Sequence, residues 1–321
     1  MPRSRLSVNA EALKLVDELC NNREKLRIII KEAKSGVTII DAGIEAEGGF
    51  AAGKIITEIC MGGLGETSIS SMRLGNLELP SISVFTDQPA ISTLGSQLAG
   101  WHIKVGKYSA VASGPARALA LKPRSMYEKI GYKDESDPAV LVIETSKEPP
   151  EEVISYISDS CGVAPDKLFL ILVPTSSVAG FTQISGRVAE TGIHKLVELG
   201  FDPRLITHAW GYAPIMPVHP DYVEAMGRAN DAILYGGVTY YVVSCDDDKA
   251  LKSLVERSVS SASKQYGRPF AEIFREANFD FYKIDPSIFA PAVLTINNAK
   301  TGKVFTAGRI NVQVLVESAG L

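Results

Sequence analysis

The sequence predicts an α/β protein in two domains, with mixed sheets of α+β character. Three observations lead there. A chain of 321 residues, 45% hydrophobic and 22% charged, exceeds the usual size of one domain and can bury a large core. β-Branched runs alternate with amphipathic, helix-forming stretches along its length. LFLILVP, Leu168 to Pro174, is an unbroken apolar run of strand length, the pattern of a strand covered on both faces.

Taken in order, Asn9 is placed to cap a helix carrying Leu13, Val16 and Leu19. LRIIIKEAKSGVTIIDAG sets two β-branched runs around Ser35-Gly36, a hairpin signature. EAEGGFAAG is a glycine-rich turn, and the apolar KIITEICMGG after it suits either strand or helix. SISVFTDQPAIS reads as a strand running into Pro89 and the start of a helix over STLGSQLAGW, with WHIKVGKYSAVA extended beyond it. KIGYKDESDP, Lys129 to Pro138, is charged, turn-forming and poor in large apolar residues, which marks it as a domain link.

Beyond the link come AVLVIETS, a helix from Pro150 to about Cys161, the LFLILVP strand and a helix over ISGRVAETGIHKL. RLITHAWGYAPIMP, a helix around YVEAMGRAND, the strand ILYGGVTYYVVS and a long helix from about Asp247 to Tyr266 follow. The C-terminal PAVLTINNAKTGKVFTAGRINV is a second hairpin, and its NAKTGKVFTAG echoes EAKSGVTIIDAG. Shared hairpin chemistry explains the echo more simply than duplication, but it suggests that the two chain ends share one domain. The expected domains are residues 1–130 completed by 270–321, and residues 138–269 carrying the ISGRVAETG helix.

Charge and motif content exclude several classes. A net charge of −4 with no basic run leaves no electrostatic footprint for nucleic acid. No apolar run approaches the ~20 residues of a membrane span, and MPRSRLSVNAEALKLV lacks a signal peptide's apolar core, so a cytoplasmic protein is expected. Cys20, Cys60, Cys161 and Cys245 form no CxxC pair and signal neither a zinc site nor a disulfide framework. GxGxxG after a strand, Walker A, HExxH and GxSxG are absent, and His102, His194, His208 and His219 stand singly.

The candidate site lies in the helix over ISGRVAETGIHKL. At about 100° per residue Arg187 and Glu190 are roughly 60° apart on its surface and can touch. A solvated ion pair is the ordinary reading of such spacing. The helix follows a buried strand, however, and so would place the pair near a sheet's carboxyl end, where open α/β sheets bind ligands. SGPARALALKP, Ser113 to Pro123, sets small residues and a proline at a helix start, which suits either a plain cap or exposed N–H groups receiving an anion.

Many unusual phrases in one order give a specific resemblance: EAEGGFAAG, EICMGGLG, TDQPAISTLGSQLAGW, SGPARALALKP, PTSSVAGFTQISGRVAETG, AMGRANDAILYGG, DFYKIDPSIFAP and TAGRINV. Across nearly the whole chain they resemble the methenyltetrahydromethanopterin cyclohydrolase family. The resemblance implies an archaeal and methylotroph enzyme of one-carbon metabolism, linked in methanogens to methane formation. Its reaction is the reversible hydrolysis of N5,N10-methenyltetrahydromethanopterin to the N5-formyl compound. It further implies a cytoplasmic homotrimer, two α/β domains with the pterin cleft between them, and no metal or redox cofactor. By match to GRVAETG, the family's catalytic glutamate falls on Glu190 and its partner arginine on Arg187.

The chemistry suits those residues. The methenyl carbon shares the positive charge of two nitrogens, so it is already an electrophile and lacks only a nucleophile. A carboxylate can take a proton from water as the C–O bond forms and return it to N10 as the C–N bond breaks. A guanidinium beside it would orient the carboxylate, favour its charge and donate to the nascent formyl oxygen. Ser113, Gly114, Pro115, Ser176, Ser177, Gln183, Tyr212 and Phe289 suit a pterin's flat face and polar edge, while each also suits a structural role. Two rivals are a pterin-binding protein without turnover and an amidohydrolase or acyl transferase using Cys60.

Overall fold

The structure, a computed structural model, describes residues 6–321. Met1–Arg5, the beginning of the stretch read above for a targeting signal, lie outside the described residues. Twelve strands appear among the described residues. In chain order they are β1 (Ile29–Glu32), β2 (Thr38–Asp41), β3 (Glu66–Leu74), β4 (Leu77–Thr86), β5 (Trp101–Val105), β6 (Tyr108–Ser113), β7 (Ala139–Glu144), β8 (Leu168–Leu172), β9 (Ile206–Pro214), β10 (Val238–Val243), β11 (Val293–Asn298) and β12 (Lys303–Gly308). They form two six-stranded sheets, ordered β1-β2-β8-β7-β6-β5 and β12-β11-β10-β9-β4-β3.

Both sheets are mixed, as expected of the class: β8 is parallel to β2 and β7, and β10 is parallel to β11. The central strands of the first sheet, β2, β8 and β7, are buried on both faces. Along β8, Leu168, Leu170 and Leu172 pack into one core cluster and Ile171 into the other, which is the physical content of the LFLILVP run. The Ser35-Gly36 hairpin forms as expected, with Glu32 opposite Thr38, and so does the C-terminal one, with Asn298 opposite Lys303.

At the end of β2, Asp41 accepts backbone N–H bonds from Gly43, Ile44, Glu45 and Ala46 at 2.7–3.1 Å. Burial opposes its ionisation, but the four donors outweigh it and hold the carboxyl below its ordinary value.

The chain divides into compact units at places the composition does not mark. One unit holds the described residues through Glu66 together with Ile91–Gly180; the other holds Thr67–Ala90 and Phe181–Leu321. The expected division of 1–130 with 270–321 against 138–269 therefore gives way to another. The supposed link Lys129–Pro138 lies inside the first unit. Its Asp134 is anchored there, accepting from the Asn9 N–H at 3.0 Å and the Asn9 side chain at 2.8 Å. The two echoing hairpins fall in different units, since β1–β2 belongs to the first sheet and β11–β12 to the second.

Three local expectations also change, and one left open is decided. Ser7, not Asn9, caps the first helix, Val8–Asn21, because the Asn9 amide is engaged with Asp134, Pro115 and Val140. KIITEIC is helical, within Phe50–Cys60, and is buried on nearly every side, while Met61-Gly62-Gly63 turn out of the helix. ILYG of the expected strand ILYGGVTYYVVS closes the helix Tyr222–Gly236, and only Val238–Val243 is extended. The helix begun after Asp247 stops at Arg257, where Ser258 Oγ turns back to the Leu254 carbonyl at 2.7 Å.

In the second unit, Asp231 of the helix Tyr222–Gly236 is wholly buried. It accepts from the Phe270 N–H at 2.9 Å and the Ser318 hydroxyl at 2.7 Å, tying that helix to Phe270–Glu276 and Val312–Ser318. Burial pushes its carboxyl up to about 7.

Candidate active site

Two helices carry the candidate site, Val178–Ser185 and Val188–Glu198, joined by Gly186 and Arg187. The first of them intervenes between β8 and the Arg187/Glu190 pair, and both Arg187 and Glu190 belong to the second unit while β8 belongs to the first. The pair therefore does not simply follow the carboxyl end of the LFLILVP strand.

Arg187 occupies the N-cap position with φ −87° and ψ 2°, the bridge region that many active-site residues adopt. Its side chain makes no cap hydrogen bond. Glu190 stands in the first turn, where the exposed N–H groups of a helix favour a negative charge.

Arg187 Nε lies 3.6 Å from Glu190 Oε2, and the two side chains are only 11% and 7% exposed. This burial decides against the solvated-pair reading, because surface ion pairs are far wetter and contribute little. At 3.6 Å the contact is an ion pair rather than a short hydrogen bond, and it engages one carboxylate oxygen.

The helix sits close to the second sheet. Val188 packs so near Gly237 that a Cβ there would lie 2.9 Å from Val188 Cγ2. On β10, Tyr241 points toward the helix and its hydroxyl donates to the Ala189 carbonyl at 2.9 Å. Farther along, Lys195 is buried and donates to the Pro286 carbonyl at 2.7 Å and to Glu198 at 2.6 Å. His194 is half-buried beside Glu198, 3.9 Å away, one helical turn past Glu190.

The other predicted contacts separate into those near this arrangement and those not. Gln183, one helix earlier, is 2% exposed, and its Oε1 has no hydrogen-bond partner among the described residues. Phe289 packs against Phe270 and Phe281, with ring centroids 5.6 and 6.3 Å apart, so it belongs to an aromatic cluster. Tyr212 faces away from the site. Neighbouring Gly211 abuts Val188 of the helix Val188–Glu198, and side chains alternate along a strand, so Tyr212 lies on the opposite face of the sheet, tilted against Trp210.

In the first unit, Ser113 is buried with its Oγ 3.6 Å from Cys60 Sγ. The Gly114 N–H donates to the Ser96 carbonyl, and Pro115 precedes a helix of only five residues, Ala116–Ala120. The Arg117 and Ala118 N–H groups turn back to the Gly114 and Pro115 carbonyls, which favours the plain cap over the open N–H groups that SGPAR equally suited. Ser177 donates to the Pro174 carbonyl and accepts from the Gly180 N–H, both at 2.9 Å, which is turn chemistry. Ser176 is exposed. Cys60 is wholly buried, which denies the thiol reading its accessible nucleophile. Among the described residues no three His, Cys, Asp or Glu side chains cluster as a metal site, and no helix is long and apolar enough to cross a membrane.

Comparison with known proteins shows the family. The family model described as "Cyclohydrolase (MCH)" matches residues 7–319. The chain belongs to the cyclohydrolase (MCH) family. It is 47% identical over 318 residues to the methenyltetrahydromethanopterin cyclohydrolase of Methanocaldococcus jannaschii, covering 98% of both chains. It is 48% identical to that of Methanothermobacter marburgensis, covering 98% of this chain and 100% of the relative. Against that of Methanococcoides burtonii the identity is 46%, with 98% and 99% covered. The cyclohydrolase match spans both units and every residue discussed above.

Sequence reasoning missed Tyr241. Its signal was present in VTYYVV: alternation along a strand turns only one of Tyr240 and Tyr241 inward, and the helix opposite carries a mid-helix glycine, Gly192.

Proposed function

We propose that Glu190 is the general base and acid, with Arg187 its partner, in the reversible hydrolysis of methenyltetrahydromethanopterin that this family member carries out. The buried Arg187–Glu190 ion pair, 3.6 Å long, carries the proposal. A water held by the Glu190 carboxylate loses a proton to it as the water oxygen bonds to the methenyl carbon. The neutral adduct then accepts the Glu190 proton at N10, the C–N10 bond breaks, and the remaining hydroxyl proton leaves to solvent as the formyl carbonyl forms.

Because the substrate cation brings its own electrophilicity, the step draws on no metal or redox cofactor. Arg187 orients the carboxylate and donates toward the oxygen as it becomes the carbonyl. Its pairing with Glu190 keeps a bare positive charge from facing the cationic substrate. Gln183, whose buried Oε1 lacks a donor, is the substrate-contact candidate with the clearest unmet hydrogen bond.

A cytoplasmic homotrimer is part of the same proposal. Phe85 and Trp210, paired across β4 and β9 and 44% and 40% exposed, offer an apolar patch for such an interface. The proposal is tested by following the methenyl chromophore with an Arg187→Met variant beside wild type. A variant that binds the substrate but turns over at least a hundredfold more slowly supports it, and an unchanged rate overturns the assigned role.

A further inference from the structure

Tyr241 sits beneath the catalytic helix in a place the reaction chemistry leaves unused. It is wholly buried on the inward face of β10. Its hydroxyl donates to the carbonyl of Ala189, the residue before Glu190, at 2.9 Å. A Cβ on Gly192 would fall 2.1 Å from that same hydroxyl, so the tip of the phenol fills the space a side chain two residues after Glu190 would occupy. The Ile193 N–H and the Thr239 hydroxyl are its other polar neighbours, and the charge of Glu190 acts on it. Burial above all, and then the charge of Glu190, push the phenol far above its ordinary value, so the hydroxyl stays a donor.

The need for such a contact follows from the helix start. The first-turn N–H groups of a helix have no partners within it, and here no side chain caps them. Arg187, at the cap position, is turned toward Glu190 instead. The turn that carries the carboxylate must be held from below, and a backbone carbonyl has a second lone pair with which to accept the phenol.

We propose that Tyr241 is a positioning residue for Glu190: its hydroxyl clamps the uncapped first turn of the catalytic helix onto β10 and so fixes where the carboxylate meets water. The inference rests on Glu190 being the base.

The test measures kcat, KM and thermal midpoint with methenyltetrahydromethanopterin for Tyr241→Phe, Gly192→Ala, Tyr235→Phe and Glu190→Gln. Tyr235→Phe is the matched control, since it also removes a buried phenol bond to a backbone carbonyl, that of Arg268 at 2.6 Å. Tyr241→Phe is expected to lower kcat about tenfold to a hundredfold with KM within about twofold, because a misplacement near 1 Å costs up to about a hundredfold. Gly192→Ala, which drives the hydroxyl off Ala189 with the methyl group, is expected to do the same. Tyr235→Phe is expected to lose comparable stability at wild-type kcat. Wild-type kcat in Tyr241→Phe or Gly192→Ala, with Glu190→Gln inactive, overturns the positioning role and leaves the base assignment standing. So does an equal kcat loss in Tyr241→Phe and Tyr235→Phe, which would mark a purely structural effect. Full turnover by Glu190→Gln overturns the underlying reading instead.

Discussion

Replacing Asp231 with Asn should make this protein more stable at neutral pH and change little at pH 4. Asp231 lies fully buried among three helices with its carboxyl pushed up to about 7 from an ordinary 3.8, burial being the largest cause. An acid whose folded value is raised binds its proton more tightly when folded. Its contribution is therefore whole below about 3.8 and is lost as pH rises through about 7. Each pH unit in that window is worth ~1.4 kcal/mol, so the native state gives up about 4 kcal/mol between its ends.

The Asn amide keeps an oxygen for the Phe270 N–H and can donate to Ser318 Oγ, so both observed contacts survive in reversed or retained sense. The assay is urea unfolding of both proteins at pH 4 and pH 8, read as the difference between variant and wild type so that other titrating groups cancel. That difference should grow in the variant's favour by about 4 kcal/mol from pH 4 to pH 8. A difference independent of pH, or one that shrinks, refutes the reasoning.

Three further outcomes are expected. Arg187→Met leaves the buried Glu190 without its cation and should lower kcat about a hundredfold or more, measured by chromophore loss. Tyr212→Phe should leave KM within about twofold of wild type because Tyr212 faces away from the helix Val188–Glu198; a tenfold rise would contradict the strand parity argued from Gly211. Asp41→Asn replaces a carboxylate held by four N–H donors, so wild type should lose its advantage over the variant as pH falls below the ordinary carboxylate value, seen in acid unfolding midpoints.

What was legible in the sequence was what local chemistry decides. Ser35-Gly36 and the C-terminal NAKTG specify hairpins through turn geometry, and the uninterrupted LFLIL specifies a strand buried on both faces. The Arg187/Glu190 contact was read from helical spacing and forms, although Arg187 stands at the N-cap between two helices rather than inside one. Its burial was not, because that depends on the fit of Val188 against Gly237 and of the helix against β10.

The division into units was hidden because β4, with β3 beside it at the sheet edge, pairs with β9 of the second unit, more than a hundred residues later, and nothing in its composition announces a non-local partner. KIITEICMGG was ambiguous for a related reason: a helix apolar on nearly every side has no face to read. Tyr212 suited a pterin by residue type, but the face it lies on is set by register. Ser113 and Ser177 likewise suited a ligand, yet one is buried against Cys60 and the other is spent in a turn.

The most direct test of the central claim is the rate of methenyl chromophore loss in Glu190→Gln against wild type, with both shown to be folded and to bind the substrate. The buried ion pair predicts rapid loss with wild type and near-abolition with the variant, the carboxamide being unable to take the proton from water. Equal rates in the two proteins would remove Glu190 as the base and contradict the account.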